Sequence, residues 1–315
     1  MGAWARGVAV AAVLLAALGA GTAPAAGGGR RPKVLVMGTP APHPADVAPP
    51  PVADDSAGVV VAQAALVESV VELRAPGQDW TPLPEGGRVR TGDRLRTDAN
   101  SVARVELPWM SVALGPSSEL AVVRGRLLGL RLEAGRIELA SGRDDIVKLD
   151  TAEARVRGRG HVVVRREEKS TQVSVWQGEV RVSTRRGTAQ LEAGFGCRVE
   201  ARGPCRPVAL PAAPTAPRPG SDPTYVVAGQ PLTLAWSGDA PAFHVQVLSF
   251  DEEAVLAQRE VSRPSLDIAV PWPGLYRFRA SARGADGLES RPSFEGLFQV
   301  MPARWMKSGT GDGGR

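Results

Sequence analysis

Few side chains in this sequence have the types and spacing that bond-making chemistry needs. The histidines are His43, His161 and His244, and none stands at the short intervals from another His or Cys that mark a local metal site. Each reads as structural or solvated. Glu167-Glu168 and Asp251-Glu252-Glu253 have the composition of polar hairpin tips, with no sign of a general acid facing a nucleophile. No nucleophile elbow, phosphate-cradling glycine loop or calcium loop is present. The expectation is a protein with no catalytic residue, no metal and no cofactor.

Two cysteines, Cys197 and Cys205, could pair. Gly203 and Pro204 lie between them and can supply the tight return that brings two Cα atoms to bonding distance. The alternative is two unrelated buried thiols. A disulfide across so short a loop removes limited chain entropy, so its expected role is to pin the end of a domain. Arg155, Arg157 and Arg159 alternate onto one face of a strand. An acidic glycan or a lipid headgroup could bind there; the competing reading is a solvated face.

The formal charge of +5 invites a nucleic-acid reading, which the distribution opposes. The basic residues are almost all arginine, with lysine only at Lys33, Lys148, Lys169 and Lys307, a skew that looks like codon bias from a GC-rich genome. Acidic residues are interleaved throughout, so no domain carries the single-sign stripe that phosphate backbones require. No nucleic-acid partner is expected.

The positioning elements begin after an export signal. Arg6 precedes an apolar run from Gly7 to Ala20, and small residues follow at Ala23-Pro24-Ala25-Ala26, the order of a secretory signal peptide over residues 1–26. The run is too short to span a bilayer comfortably. Cleavage near Ala25 or Ala26 is expected, retention as an anchor being the alternative, and the absence of a nearby Cys argues against lipidation. The protein is expected to be periplasmic or otherwise exported, which suits a disulfide.

Aromatic residues make up 5% of the chain, whereas Gly and Pro number 36 and 27, favouring short strands and turns over long helices. Residues 27–58 read as a flexible Pro/Ala/Gly-rich spacer and 209–223 as a Pro-rich linker. Residues 302–315 read as a disordered tail in which Trp305 could dock. Between the linkers, period-2 alternation recurs in Ala103-Arg104-Val105-Glu106-Leu107, Arg136-Ile137-Glu138-Leu139 and Gln172-Val173-Ser174-Val175-Trp176. One apolar and one charged face is how a half-buried antiparallel sheet reads. Leu132 to Leu139 and Val175 to Val182 echo each other as strand, glycine-containing turn, strand. The glycine can supply a positive φ or a kink that lets a sheet roll over on itself.

Residues 59–208 resemble a FecR-type domain. The resemblance lies in the order of Trp80, Gly92-Asp93-Arg94-Leu95-Arg96-Thr97, Ser101 to Leu107, and Val112-Ala113-Leu114-Gly115-Pro116-Ser117-Ser118-Glu119-Leu120. It continues through Leu132 to Leu139, Asp150-Thr151-Ala152, Val156-Arg157-Gly158, Val173 to Val182 and Leu191-Glu192-Ala193-Gly194. It implies a stacked or rolled antiparallel β-domain located in the cell envelope, with an interaction role and nothing catalytic. The family's best-known members are iron-transport regulators that sense an outer-membrane receptor and control a sigma factor through a cytoplasmic helical segment. No such segment is evident before the export signal, which puts direct sigma-factor control in doubt. Where the family usually has an Asp-Gly-Ser turn, this chain has Pro108-Trp109-Met110. Trp109 and Met110 could form an apolar contact for a protein partner; alternatively Trp109 folds back and caps the β-stack.

Residues 224–301 show short alternating strands and the turn Gly284-Ala285-Asp286-Gly287, the spacing of a β-sandwich. This segment resembles an immunoglobulin-like or fibronectin type III module, with Trp236 as core tryptophan and Tyr276 as corner tyrosine. The reading as a whole is a mainly β, exported, non-enzymatic scaffold that recognises an envelope protein or senses a signal. The alternative is a carbohydrate- or peptidoglycan-binding envelope module.

Overall fold

The computed structural model describes residues 35–36, 59–68, 70–123, 129–142, 146–215, 224–250, 255–293 and 296–303. The stretch read as a signal peptide, most of the stretch read as a spacer, Asp251-Glu252-Glu253, His43 and Trp305 lie outside the described residues. Among the described residues all regular structure is β, apart from single turns, and no helix is long and apolar enough to cross a membrane.

The larger sheet runs from Val208–Ala209 through Phe195–Glu200, Ser170–Thr184, Arg155–Glu167, Val147–Asp150 and Gly129–Ser141. It continues through Met110–Leu114, Val102–Leu107 and Val60–Glu68 to Arg88–Arg90. Its neighbours are antiparallel except Gly129–Ser141 with Val147–Asp150. Alternation explains the pairing: along Val102–Leu107, Val105 and Leu107 point into the core while Arg104 and Glu106 face outward.

The echoed glycine segments are bends within continuous strands; they do not end one strand and begin another. Gly129–Ser141 pairs through its first half with Glu119–Val123 and through its second with Met110–Leu114 and Arg155–Glu167. The partner change falls at Gly135, whose φ of 85° is open to glycine. Ser170–Thr184 likewise exchanges Phe195–Glu200 for Gly187–Glu192 beyond Gly178, at φ 77°. The long strands thereby roll the sheet around one core that includes Val105, Leu114, Leu132, Ile137, Val164, Val175 and Leu191.

Residues from Thr224 onward form a sandwich of a five-stranded sheet against a three-stranded one. The third strand of the smaller sheet is Leu35–Val36, parallel to Ser265–Ala269, so two residues of the stretch read as spacer pair with this sandwich. The core between the sheets holds Trp236, Phe243, Val245, Ile268, Tyr276, Phe278 and Phe298. Trp236 meets Phe243 edge-on at 5.6 Å between ring centroids. The Tyr276 hydroxyl donates to the Trp272 carbonyl at 2.9 Å, the polar handle a buried tyrosine requires.

Candidate functional site

The strand Ser170–Thr184 is buried on both faces at its start. Val173 and Val175 face the first core, and Gln172, Ser174 and Trp176 are buried on the other side. A half-buried sheet would leave that second face wet. It is covered by Leu288-Glu289-Ser290, which follows the turn Gly284 to Gly287 of the sandwich and is itself fully buried. The Glu289 amide donates to Ser174 Oγ at 2.9 Å, and its carbonyl accepts from Trp176 Nε1 at 3.2 Å. Gly287, at φ 83°, sits where an added Cβ would come within 3.1 Å of the Gln172 side chain.

The Glu289 side chain enters a cluster of charges drawn from both parts of the chain. Arg136 Nε donates to its two oxygens at 3.0 and 3.1 Å, and Arg165 Nη2 donates to Oε1 at 2.9 Å. Glu138 lies 3.5 Å from Arg136, 3.4 Å from Arg279 and 2.7 Å from His161 Nε2. Arg165 also reaches Glu260 and Glu167, at 3.0 and 3.1 Å, and Arg283 bridges the same two carboxylates. His161 packs edge-on against Trp176 at 4.8 Å.

Burial alone would raise the carboxyl pKa values; the surrounding cations reverse that. The hydrogen bond from His161 and the charges of Arg279 and Arg136 hold Glu138 at about 2. Arg136, His244 and Arg165 hold Glu289 well below the usual carboxylate range. Burial works against the Arg165 charge, but Glu289 and Glu260 more than offset it and its pKa is raised. His244 is lowered to about 3, by burial first and by the Arg136 charge second, and is a neutral ring at pH 7. Such a cluster is a fastening: each charge removed from water finds partners, and removal of one leaves the others uncompensated.

The remaining sequence candidates lie elsewhere. Cys197 and Cys205 form a disulfide, with Cα atoms 5.5 Å apart. Met110 is buried in the first core at 5% exposure, and Trp109, at the two-residue turn between Leu107 and Met110, is partly buried against that core. Arg155, Arg157 and Arg159 share a face of Arg155–Glu167. There Arg157 Nη2 meets Asp150 at 2.6 Å and Nη1 donates to the Leu149 carbonyl at 3.0 Å. Arg157 stands in register between Lys148 and Arg181, with Gln190 beyond. A shallow groove of about 260 Å³ runs over Arg157, Gly158, Arg159, Arg181, Gln190, the carboxylate of Glu179 and the exposed Ile146. Among the described residues no group of three His, Cys, Asp or Glu is placed to hold a metal ion.

The family profile described as FecR protein matches residues 93–181. This chain carries a FecR domain. Arg136, Glu138, His161, Arg165 and Trp176 lie within the matched stretch of that FecR domain; His244, Glu260, Arg279 and Glu289 come from beyond it. Two crystal structures of a proposed anti-sigma factor from Parabacteroides distasonis ATCC 8503 are similar at 19% identity, with TM-scores of 0.34 and 0.33. In each the alignment covers 37% of this chain and 59% of the other, so the chain spans less than two thirds of that protein. A fungal alcohol oxidase of the AA5 family in complex with copper is similar at 12% identity over 74% of this chain and 81% of the other, with a TM-score of 0.19. No curated protein matches the sequence.

The buried cluster was not among the sequence candidates. The signal for it was present: Ser170-Thr171-Gln172-Val173-Ser174-Val175-Trp176 has no charged residue on either face, which a strand with one face in water would carry.

Proposed function

We propose that this chain is an exported, non-enzymatic interaction protein of the cell envelope. Its FecR domain engages a protein partner, and residues 224–301 form a second module that supports and orients it. The observation that carries this reading is the fastening of Glu289 into the Arg136 and Arg165 pair. It commits buried charge to holding two β-modules in one arrangement, and among the described residues it places no reactive pair in a cleft. A sensor or scaffold needs such a fixed arrangement to present one surface reproducibly.

The test is crosslinking in the producing cells, capture of the chain and mass spectrometry, followed by reciprocal capture from the partner's side. Trp109→Asp, at the partly buried turn before Met110, and Glu289→Lys, at the junction, serve as paired variants. An envelope protein recovered with the native chain and lost with either variant supports the reading. Turnover of any substrate that a point mutation abolishes would sink it.

A second reading is favoured by the cations on the outer face. Lys148, Arg157 and Arg181 stand directly opposite one another across three strands, an arrangement that costs stability unless an anion is shared between them. An acidic cell-wall or surface glycan fits that groove. Retention on purified peptidoglycan or acidic polysaccharide, lost with Arg181→Glu, would move this reading ahead. Arg181 is the better probe because Arg157 is already tied to Asp150.

A further inference from the structure

A cleft of about 160 Å³ opens between the two modules, with Ala99 and Pro116 on the side of the larger sheet and His244, Gln258, Arg259 and Glu260 on the side of the sandwich. Arg136 and Arg165 also line it. Three nitrogen groups in this lining are not fully used. His244 is 4% exposed and its Nε2 has no hydrogen-bond partner, while its Nδ1 faces Glu289 at 3.9 Å. Arg165 Nε is buried and also lacks a partner. Arg259 donates only to neutral oxygens, the Gln258 carbonyl at 2.9 Å and Asn100 Oδ1 at 3.1 Å.

The charges around the cleft do not balance. Arg136, Arg165, Arg279 and Arg283 are matched by Glu138, Glu167, Glu260 and Glu289, all joined in the contacts described above. Arg259 is the surplus, with no carboxylate partner among the described residues. Glu260, the carboxylate in the lining, is paired with Arg165 and Arg283, and the buried Glu289 is paired with Arg136 and Arg165. What the cleft still offers is positive charge and N–H donors, which a buried site does not leave unmet without cost.

We propose that this cleft is a binding site for a small oxyanion, a carboxylate or a phosphate, held by Arg259, Arg165 Nε and His244 Nε2. The volume admits a ligand of about six heavy atoms, the size of cavity that holds benzene in an engineered core. Arg259 and His244 come from one module and Arg165 from the other, so a bound anion bridges them and strengthens the junction. The inference rests on this junction and not on the identity of any protein partner; its failure leaves the partner reading standing.

The test is calorimetric titration of the purified full chain with inorganic phosphate and, separately, sodium acetate, against sodium chloride at matched ionic strength. Saturable binding of either anion, with a rise in melting temperature that chloride does not give, is expected, and the anion that binds decides between the two sources. Arg259→Gln weakens binding by about tenfold or more, the usual consequence of losing a charged hydrogen bond. Asn100→Asp is the second variant: it supplies Arg259 with a carboxylate partner, keeps the fold and abolishes binding. Arg206→Gln, at an exposed position that lines neither this cleft nor the outer groove, leaves binding unchanged. No saturable binding of either anion, or equal binding by the native chain, Arg259→Gln and Asn100→Asp, overturns the proposal.

Discussion

Arg136 and Glu289 are 153 positions apart in sequence, and the Arg136 guanidinium nonetheless donates three hydrogen bonds of 3.0 to 3.1 Å to the Glu289 carboxylate. Their side chains are 5% and 1% exposed. A contact this dry between sheets of different modules ties the packing of one to the position of the other. It is reinforced by the Glu289 backbone, which is bonded to Ser174 and Trp176.

Removing one partner of this pair is expected to cost more than removing both. Glu289→Ala leaves Arg136 and Arg165 buried without their carboxylate and should lower stability to urea by about 3–5 kcal/mol, whereas Arg136→Met with Glu289→Leu should recover most of that loss. The same single variant should split one unfolding transition into two, as the modules come apart before they unfold. A loss below about 1 kcal/mol for Glu289→Ala would show that the pair does not fasten the junction.

Stability should fall steadily as the solution is acidified from neutrality. His244 has a pKa of about 3 in the fold against an ordinary 6.5, so the unfolded chain takes up its proton first and stability drains away below pH 6.5. Glu138, at about 2 against 4.5, and Glu289, lowered in the same direction, add a second loss that begins near pH 4.5. All three groups bind protons more readily when unfolded, so the signs agree. Thermal melts from pH 8 to pH 3 check this. His244→Gln should flatten the curve between pH 6.5 and 4.5 and leave the lower limb. An unchanged upper limb would assign that loss to another group.

Gly160 and Gly178 face each other in register across the two longest paired strands. A Cβ on Gly160 would stand 2.0 Å from the Gln177 carbonyl oxygen, and one on Gly178 would stand 2.3 Å from that of Arg159. Their φ angles of 114° and 77° disfavour any side chain as well. Either alanine variant should therefore cost about 2–4 kcal/mol. Gly187→Ala, at φ 136° with open space around it, should cost only about 1 kcal/mol. Equal effects at all three positions in urea titrations would mean that backbone angle, and not the close approach of the strands, sets the cost.

The β architecture was legible because it is written in local periods. Ala103 to Leu107 alternates in and out, and Trp236 and Tyr276 sit in the sandwich core where short apolar strands surround them. The bends at Gly135 and Gly178 were visible as glycines but read as turns, since period 2 cannot distinguish a bent strand from a hairpin. The junction was hidden for a different reason. Arg136, Glu138 and Arg165 look like any outward charged face of a strand, and only a partner more than a hundred positions away removes them from water. Met110 shows the converse: a residue read at an exposed tip lies one step past the turn and points into the core.

The disulfide should act locally and at the end of the first sheet. Cys197 is fully buried beside Val173, and the strand that carries it pairs with Val208–Ala209. The Leu210 amide then donates to the Gly194 carbonyl at 2.8 Å, so the bridge lies at the root of the segment leading toward the second module. Closing a loop of separation 8 stabilises by about 2.5 kcal/mol through the unfolded chain. The paired Cys197→Ala and Cys205→Ala variant should lose about that much in urea. Its amide exchange should quicken first over residues 195–210 while Val173 and Val175 stay protected. If exchange instead quickened across the whole first core, the bridge would be a global support of the domain and its placement at the exit of the sheet would be incidental.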